Sequence, residues 1–320
     1  MSTTDSCWIL SDGKPGNANP CLGLAEAVGY PITVKQITAR PPWSWLPPGL
    51  WLAPLCAADA GSDALTPPWP DLLIACGRQS AAPAAAIGRA AKGATFTVQL
   101  LDPRMAPESF DLVVAPRHDR LGGANIIATL GALNRITPER LAAEAERVAP
   151  SVTHLPTPRV AVLVGGATKR HHPTAGTCAR FGDTLAAFAA DHGAGLMVTA
   201  SRRTGKAHSE TIRQSLSGSA AVMWDGAGHT PYFGYLGLAD AIVVTSDSVA
   251  MVSEACATGK PVYVYALPGG SAKFERFHHG LEQAGCTRHF DGSLENWRYA
   301  PLRETTKIAA EVRRRLEDPG

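Results

Sequence analysis

Short apolar runs alternate with longer stretches of helical period along most of the chain. In the first half, Cys7–Ser11, Ile32–Ile37, Asp71–Cys76, Thr95–Leu101, Asp111–Ala115 and Ile126–Leu130 predict strands. Cys21–Val28, Ser80–Lys92 and Pro138–Val148 predict helices. In the second half, Arg159–Val164, Gly195–Ala200, Ala220–Trp224, Ala241–Thr245 and Pro261–Ala266 predict strands. Thr174–His192, His208–Leu216, Ser248–Thr258 and Ala272–Ala284 predict helices. Strands that alternate with helices imply parallel sheets covered on both faces. Between the halves, Pro150, Pro156 and Pro158 stiffen a connector, and Arg159–Gly166 then opens a fresh strand and glycine turn. The expectation is an α/β protein of two Rossmann-like domains whose parallel sheets face each other across a cleft. Their expected spans are 1–150 and 159–302, with a terminal helix in 303–320 packing back across the junction.

Arg40–Pro70 breaks this rhythm, placing Trp43, Trp45, Trp51 and Trp69 among many prolines. Proline argues against an ordinary helix there. The segment is either an irregular excursion packed on the first domain or an apolar surface that meets a membrane or a lipid-linked substrate, since tryptophan favours the membrane interface.

Composition narrows the function classes. The 320 residues are 45% hydrophobic and 18% charged, so a substantial core is expected. A net charge of +2 gives no footing for a nucleic-acid partner. The seven cysteines are dispersed without a CxxC pair, as reduced thiols of a cytoplasmic protein would be. The start MSTTDSCWIL lacks a basic leader and long apolar core, and no run of about 18 apolar residues occurs. The expected location is therefore cytoplasmic, with peripheral attachment at the inner membrane if Arg40–Pro70 touches lipid. His171-His172 and His278-His279 are adjacent pairs whose side chains point apart, so no metal site is expected. No cofactor is expected either.

Candidate chemistry gathers where strands end. Ala241–Leu267 reads as strand, polar turn, helix and strand, and its turn carries Ser246, Asp247 and Ser248. Open α/β sheets bind ligands outside the carboxyl ends of their strands, and helix N-termini favour anions. The same logic selects Gly165 and Gly166, whose small size lets backbone amides approach a phosphate, and Ser201 with Arg202, favoured slightly over Arg203. In the first half it selects Asp12, Gly13 and Lys14 after the first strand, and Gly77, Arg78 and Gln79 after the third. Asp12 could act as a general base or cap its turn; Arg78 could bind a phosphate or make a surface ion pair. Walker, GxGxxG and GxSxG patterns are absent.

Two Rossmann-like halves, the glycine turn opening the second and TSDSVAMVSEACATGKPVYVY together resemble the GT-B glycosyltransferases. The resemblance extends to the branch of the peptidoglycan glucosaminyltransferase and lipid A disaccharide synthase. It implies that Ser246, Ser248 and Met251 surround a nucleotide diphosphate, and that Glu254 binds the ribose diol. WILSDGKPGN, CGRQS, VGGATKRH, TASRRT and the Ser246–Pro261 segment resemble a narrower family, named after plant mitochondrial-fission proteins and rich in bacterial members.

The leading expectation is a metal-independent transferase. It would move sugar from a nucleoside-diphosphate sugar, held by the second domain, to an acceptor on the first, lipid-linked if Arg40–Pro70 is its contact. The alternatives are a non-catalytic nucleotide-binding or recruiting scaffold and, more weakly, a sugar-nucleotide epimerase.

Overall fold

The structure, a computed structural model, describes residues 5–318. These residues form two compact units: one running to Arg135 and resuming at Arg303, the other Ile136–Leu302.

The first unit is built from β1 (Cys7–Ser11), α1 (Pro15–Val28), β2 (Ile32–Gln36), β3 (Leu72–Cys76), α2 (Arg78–Ala91), β4 (Phe96–Leu100), β5 (Leu112–Pro116) and β6 (Ile126–Thr129). Its strands pair in parallel in the order β2-β1-β3-β4-β5-β6. Alternate residues point to opposite faces. Cys7, Ile9, Leu72 and Ile74 therefore pack under Leu24 and Val28 of α1, whereas Leu10, Leu73 and Ala75 pack under Ala81, Ala84 and Ile87 of α2. Burial on both faces accounts for the continuous apolar runs. Helix α1 starts six residues before its expected Cys21. Pro15 suits a first helical position, and Pro20 is tolerated within the helix.

The second unit contains α3 (Pro138–Val152), β7 (Arg159–Val164), α4 (Ala175–His192), β8 (Gly195–Ala200), α5 (Gly205–Ser215), β9 (Ala221–Met223), α6 (Tyr232–Leu238), β10 (Ala241–Thr245), α7 (Val249–Ala257), β11 (Val262–Tyr265), α8 (Ala272–Gln283) and β12 (Thr287–His289). The parallel order is β12-β11-β10-β7-β8-β9. Val160, Val162, Leu196 and Val243 meet Phe181, Leu185 and Phe188 of α4 in its core.

One boundary differs from expectation. Helix α3, expected within 1–150, belongs to the second unit because α6 presents glycines to it. A Cβ at Gly234 would stand 2.6 Å from the Glu144 carbonyl oxygen, and one at Gly237 2.5 Å from that of Leu141. The terminal helix α9 (Glu304–Glu317) lies in the first unit, where Ile308, Ala309 and Val312 join the α1 side of the core. Arg313 of α9 donates to the Ala27 carbonyl, and Asn134 N–H donates to Thr305 Oγ1 at 2.9 Å. Among the described residues, no helix is long and apolar enough to cross a membrane.

Candidate functional site

Each sheet has a point where its strand order reverses, between β1 and β3 in the first unit and between β7 and β10 in the second. Loops leaving the strands there diverge to opposite faces and open a crevice. The residues selected by sequence lie at or beside these two points.

In the first unit, Asp12 follows β1 and turns its carboxylate back on its own loop. Oδ2 accepts from Lys14 Nζ at 2.5 Å; Oδ1 accepts from Lys14 N–H at 3.2 Å and Asn17 Nδ2 at 2.9 Å. Burial pushes the Asp12 carboxyl up, but the bonds from Lys14 and Asn17 together outweigh it and hold the group below its ordinary range. Asn17 was not singled out by sequence, yet it links the two loops. Its Oδ1 accepts from Cys76 Sγ at 3.7 Å, and a Cβ at Gly77 would stand 3.0 Å from its Nδ2. Glycine is needed at 13 and 77 for backbone reasons, with φ of +73° and +84°.

Arg78 and Gln79 do different work from that expected. The Arg78 guanidinium donates to the Ser44 and Leu46 carbonyls at 3.1 and 2.7 Å. Gln79 Oε1 accepts from Ala39 N–H at 3.1 Å. Both side chains thus brace the Trp-rich segment, Arg78 through Nη2 while its guanidinium stays exposed. That segment is closed at its root by an antiparallel bridge between Ala39 and Ala58. Trp51 is buried with Ala57 and Ala82, while Trp69 packs edge-on to Trp8 at 6.0 Å. The excursion is packed on its unit and also leaves Trp45 76% exposed.

In the second unit the central group is Asp247, whose side chain is wholly inaccessible. It accepts from Thr245 Oγ1 at 2.7 Å and from Gly166 N–H at 2.9 Å, and pairs with Arg203 Nη1 at 3.0 Å. Gly165 N–H donates to Thr245 Oγ1 at 2.7 Å. The expectation that these two amides approach a phosphate is corrected here, because both are already spent inside the protein. The glycines are required for another reason. A Cβ at Gly165 would fall 2.0 Å from Asp247 Oδ1, and one at Gly166 2.2 Å from the Arg203 carbonyl carbon. Of the two arginines, Arg203 reaches the switch point and Arg202 is exposed. Ser201 Oγ lies 3.2 Å from Thr204 Oγ1.

Ser246 Oγ accepts from Leu267 N–H at 3.0 Å, and its carbonyl accepts from His278 Nε2 at 2.8 Å. A carbonyl only accepts, so His278 carries a proton on Nε2. His171, 2% exposed, packs edge-on to Phe274 at 4.8 Å. Burial holds both histidines below the usual histidine range. Sequence reading set the two aside as parts of adjacent pairs.

Ser248 caps α7, with Oγ accepting from Met251 N–H at 3.4 Å. A helix leaves its first amides without partners in its own ladder, so Ser248 leaves those of Val249 and Ala250 at the turn. Met251 is half-buried. Glu254 lies further along α7 and is 7% exposed; its Oε2 accepts from Tyr232 Oη at 2.6 Å. Burial pushes the Glu254 carboxyl up to about 7, against the lowering effect of that bond. Ser246, Ser248, Met251 and Glu254 thus share one turn and one short helix. Among the described residues, no group of three or more His, Cys, Asp or Glu side chains is placed to hold a metal ion.

The two parallel sheets with this strand order define a GT-B-like fold. Three solved structures share it at low sequence identity. The UDP-GlcNAc 2-epimerase of Methanocaldococcus jannaschii matches with a TM-score of 0.54 at 12% identity, covering 96% of this chain and 98% of that one. The Neisseria meningitidis enzyme of the same name, solved with UDP-GlcNAc, matches with 0.51 at 14%, covering 98% and 92%. The glycotransferase of kitacinnamycin matches with 0.52 at 14%, covering 100% and 92%. The sequence profile described as Mitochondrial fission ELM1 matches residues 15–316, and the chain belongs to that family. The mitochondrial fission protein ELM1 of Arabidopsis thaliana is 28% identical over 390 aligned positions, covering 98% of this chain and 91% of the relative. An uncharacterized protein of Rickettsia prowazekii is 26% identical over 349, covering 94% and 96%.

Proposed function

We propose that the second unit binds a nucleoside-diphosphate sugar and that the protein transfers the sugar to an acceptor held by the first unit. The observation that carries this reading is the turn-and-helix Ser246–Glu254 at the switch point of a GT-B-like unit. The Val249 and Ala250 amides and the Ser248 turn offer donors to a diphosphate. Glu254 offers a carboxyl group to the ribose diol, and Tyr232 holds one of its oxygens in place. Structural neighbours are described with UDP-GlcNAc, which supports this kind of ligand. Arg203, bound to Asp247 and 40% exposed, is the cation of this turn and replaces Arg202 in the reading.

In the proposed reaction an acceptor oxygen bonds to the anomeric carbon as the bond from that carbon to the diphosphate breaks. The acceptor proton passes to the Asp12 carboxylate, and the departing charge meets the α7 amides. Asp12 is a weak base while Lys14 and Asn17 hold it, so Lys14 would have to release it when the acceptor binds. The acceptor is lipid-linked where the Trp-rich segment is its contact.

Calorimetric titration with nucleoside diphosphates and their sugars, without divalent metal, tests the reading. Binding is expected for the wild type, and Glu254→Gln should weaken it about tenfold, roughly 1.4 kcal/mol. Asp12→Asn should leave donor binding intact and abolish turnover. If no nucleotide binds, the transferase reading falls and a non-catalytic scaffold takes its place. If a bound nucleotide sugar is epimerised without transfer, the chemistry is that of the epimerase neighbours.

A further inference from the structure

Four large apolar side chains are exposed among the described residues, and three of them, Trp45, Leu50 and Leu52, fall within eight residues of the Trp-rich segment. Leu52 is 98% exposed and Leu50 60%. A side chain this bare is costly to keep in water unless it has a partner, and clustering makes the surface a candidate interface. The segment that carries them is not loose. Arg40 N–H donates to the Ala57 carbonyl at 3.0 Å and Asp59 N–H to the Thr38 carbonyl at 2.9 Å, closing its root. Trp51 Nε1 donates to the Leu46 carbonyl at 3.1 Å, and Arg78 ties down Ser44 and Leu46. The apolar tips are therefore held outward on a braced loop, and docking them costs little ordering entropy.

Charge selects among partners. From Arg40 to Ala58 the sequence has no acidic residue. The exposed guanidiniums of Arg40 and Arg78 lie on the segment: Arg40 stacks 5.2 Å from the Trp43 ring and donates to the Cys56 carbonyl, while Arg78 lies against the turn that carries Trp45. The first carboxylates beyond it, half-buried Asp59 and exposed Asp63, accept hydrogen bonds from neighbouring backbone. Asp59 accepts from Gly61 N–H and Ser62 Oγ, and Asp63 from Gln36 N–H. An exposed tryptophan and two leucines flanked by arginine, with no acid between Arg40 and Ala58, match the interfacial layer of an anionic bilayer. Indole sits at headgroup depth, aliphatic side chains enter the acyl boundary, and guanidinium meets phosphate.

We infer that the Arg40–Ala58 loop is a bilayer-docking element, that Trp45, Leu50 and Leu52 insert into the interface, and that Arg40 and Arg78 select anionic headgroups. The inference does not depend on sugar transfer and is tested without nucleotide. The full chain is floated with phosphatidylcholine vesicles and with phosphatidylcholine vesicles containing phosphatidylglycerol. Wild-type protein should rise with the anionic vesicles, and salt should weaken the binding. Leu52→Asp and Trp45→Ala should each lower the partition by about tenfold or more, as the loss of a buried Leu or Trp side chain requires. Their unfolding midpoints should match the wild type, since both side chains stand in water. Equal partition of wild type and both variants overturns the insertion assignment. Equal binding to both vesicle types overturns the headgroup assignment. If the wild type binds neither vesicle, and Leu52→Asp instead converts a dimer to a monomer, the partner is a second copy of this chain and the inference is wrong.

Discussion

The two switch points have the same place in their sheets and opposite electrostatics. After β1, Asp12, 10% exposed, pairs with a lysine that is 71% exposed, and the residues that follow it to Gly16 are open to solvent. After β10, Asp247 is sealed and satisfied by a hydroxyl, a backbone amide and an arginine. In the first unit the polar turn keeps a carboxylate near the surface, where a ligand could compete for it. In the second it stitches the loop after β7 to the loop after β10. A polar turn at a strand end therefore has two uses, and burial separates them. The proposed diphosphate donors of the second unit are the amides at the start of α7, because those of Gly165 and Gly166 are spent within the protein.

The contrast is tested most strongly at Asp247. Asp247→Ala leaves the Thr245 hydroxyl, the Gly166 amide and the Arg203 guanidinium facing a void. Arg203 is 40% exposed and regains water, but the two buried donors lose their acceptor at roughly 1–3 kcal/mol each, about 2–6 kcal/mol together. Chemical denaturation should show a loss of that size, with Asp12→Ala losing less than about 1 kcal/mol. Equal losses at the two positions would end the distinction between a sealed and an open switch point.

The strands were legible because continuous apolar runs mark strands buried on both faces. Strand β12 was missed for the converse reason: of Thr287, Arg288 and His289 only Thr287 is buried, so the edge strand has no apolar run. At the sites, strand ends were legible but bonding partners were not. Gly165 and Gly166 stood out as small residues, yet the atoms that demand their smallness belong to Asp247 and Arg203, remote in sequence. Choosing between Arg202 and Arg203 depended on a one-residue register after β8 that no local pattern encodes. Arg78 and Gln79 were placed after β3 and before a helix expected from Ser80, whereas α2 begins at Arg78, and their partners lie in a loop whose path the sequence pattern does not predict.

Glu254 is the buried acid of the second unit that α7 does not neutralise with a cation, and its effect should be intermediate. In the native chain its carboxyl holds a proton up to about 7. In the unfolded chain it releases that proton near about pH 4.3. Between these values the native state binds more protons than the unfolded state, so stability falls as pH rises and the loss is complete above the native value. Glu254→Gln removes the penalty. At about pH 8 the variant should gain roughly 3–4 kcal/mol relative to its difference from wild type at about pH 4, by paired denaturation curves. A gap that does not change with pH would mean that Glu254 stays ionised, as Asp12 of the open switch point does.

The smallest effect is expected at Lys14, and it bears on whether Asp12 can serve as a base. The Lys14 side chain is 71% exposed, so losing its ion pair should change stability by less than about 1 kcal/mol. What should move is proton affinity. Burial already pushes the Asp12 carboxyl up, and Lys14 is among the groups that hold it below its ordinary range. In Lys14→Met the carboxyl should titrate at higher pH, followed by the NMR shift of its carboxyl carbon. Asn17 would remain as its partner. If Asp12 accepts the acceptor's proton during transfer, the acid limb of the rate profile should shift upward in pH by the same amount. A shift in the titration without one in the rate profile would leave Asp12 as a turn-holding residue. The two switch points would then differ in burial but not in kind, each carboxylate serving its own loop.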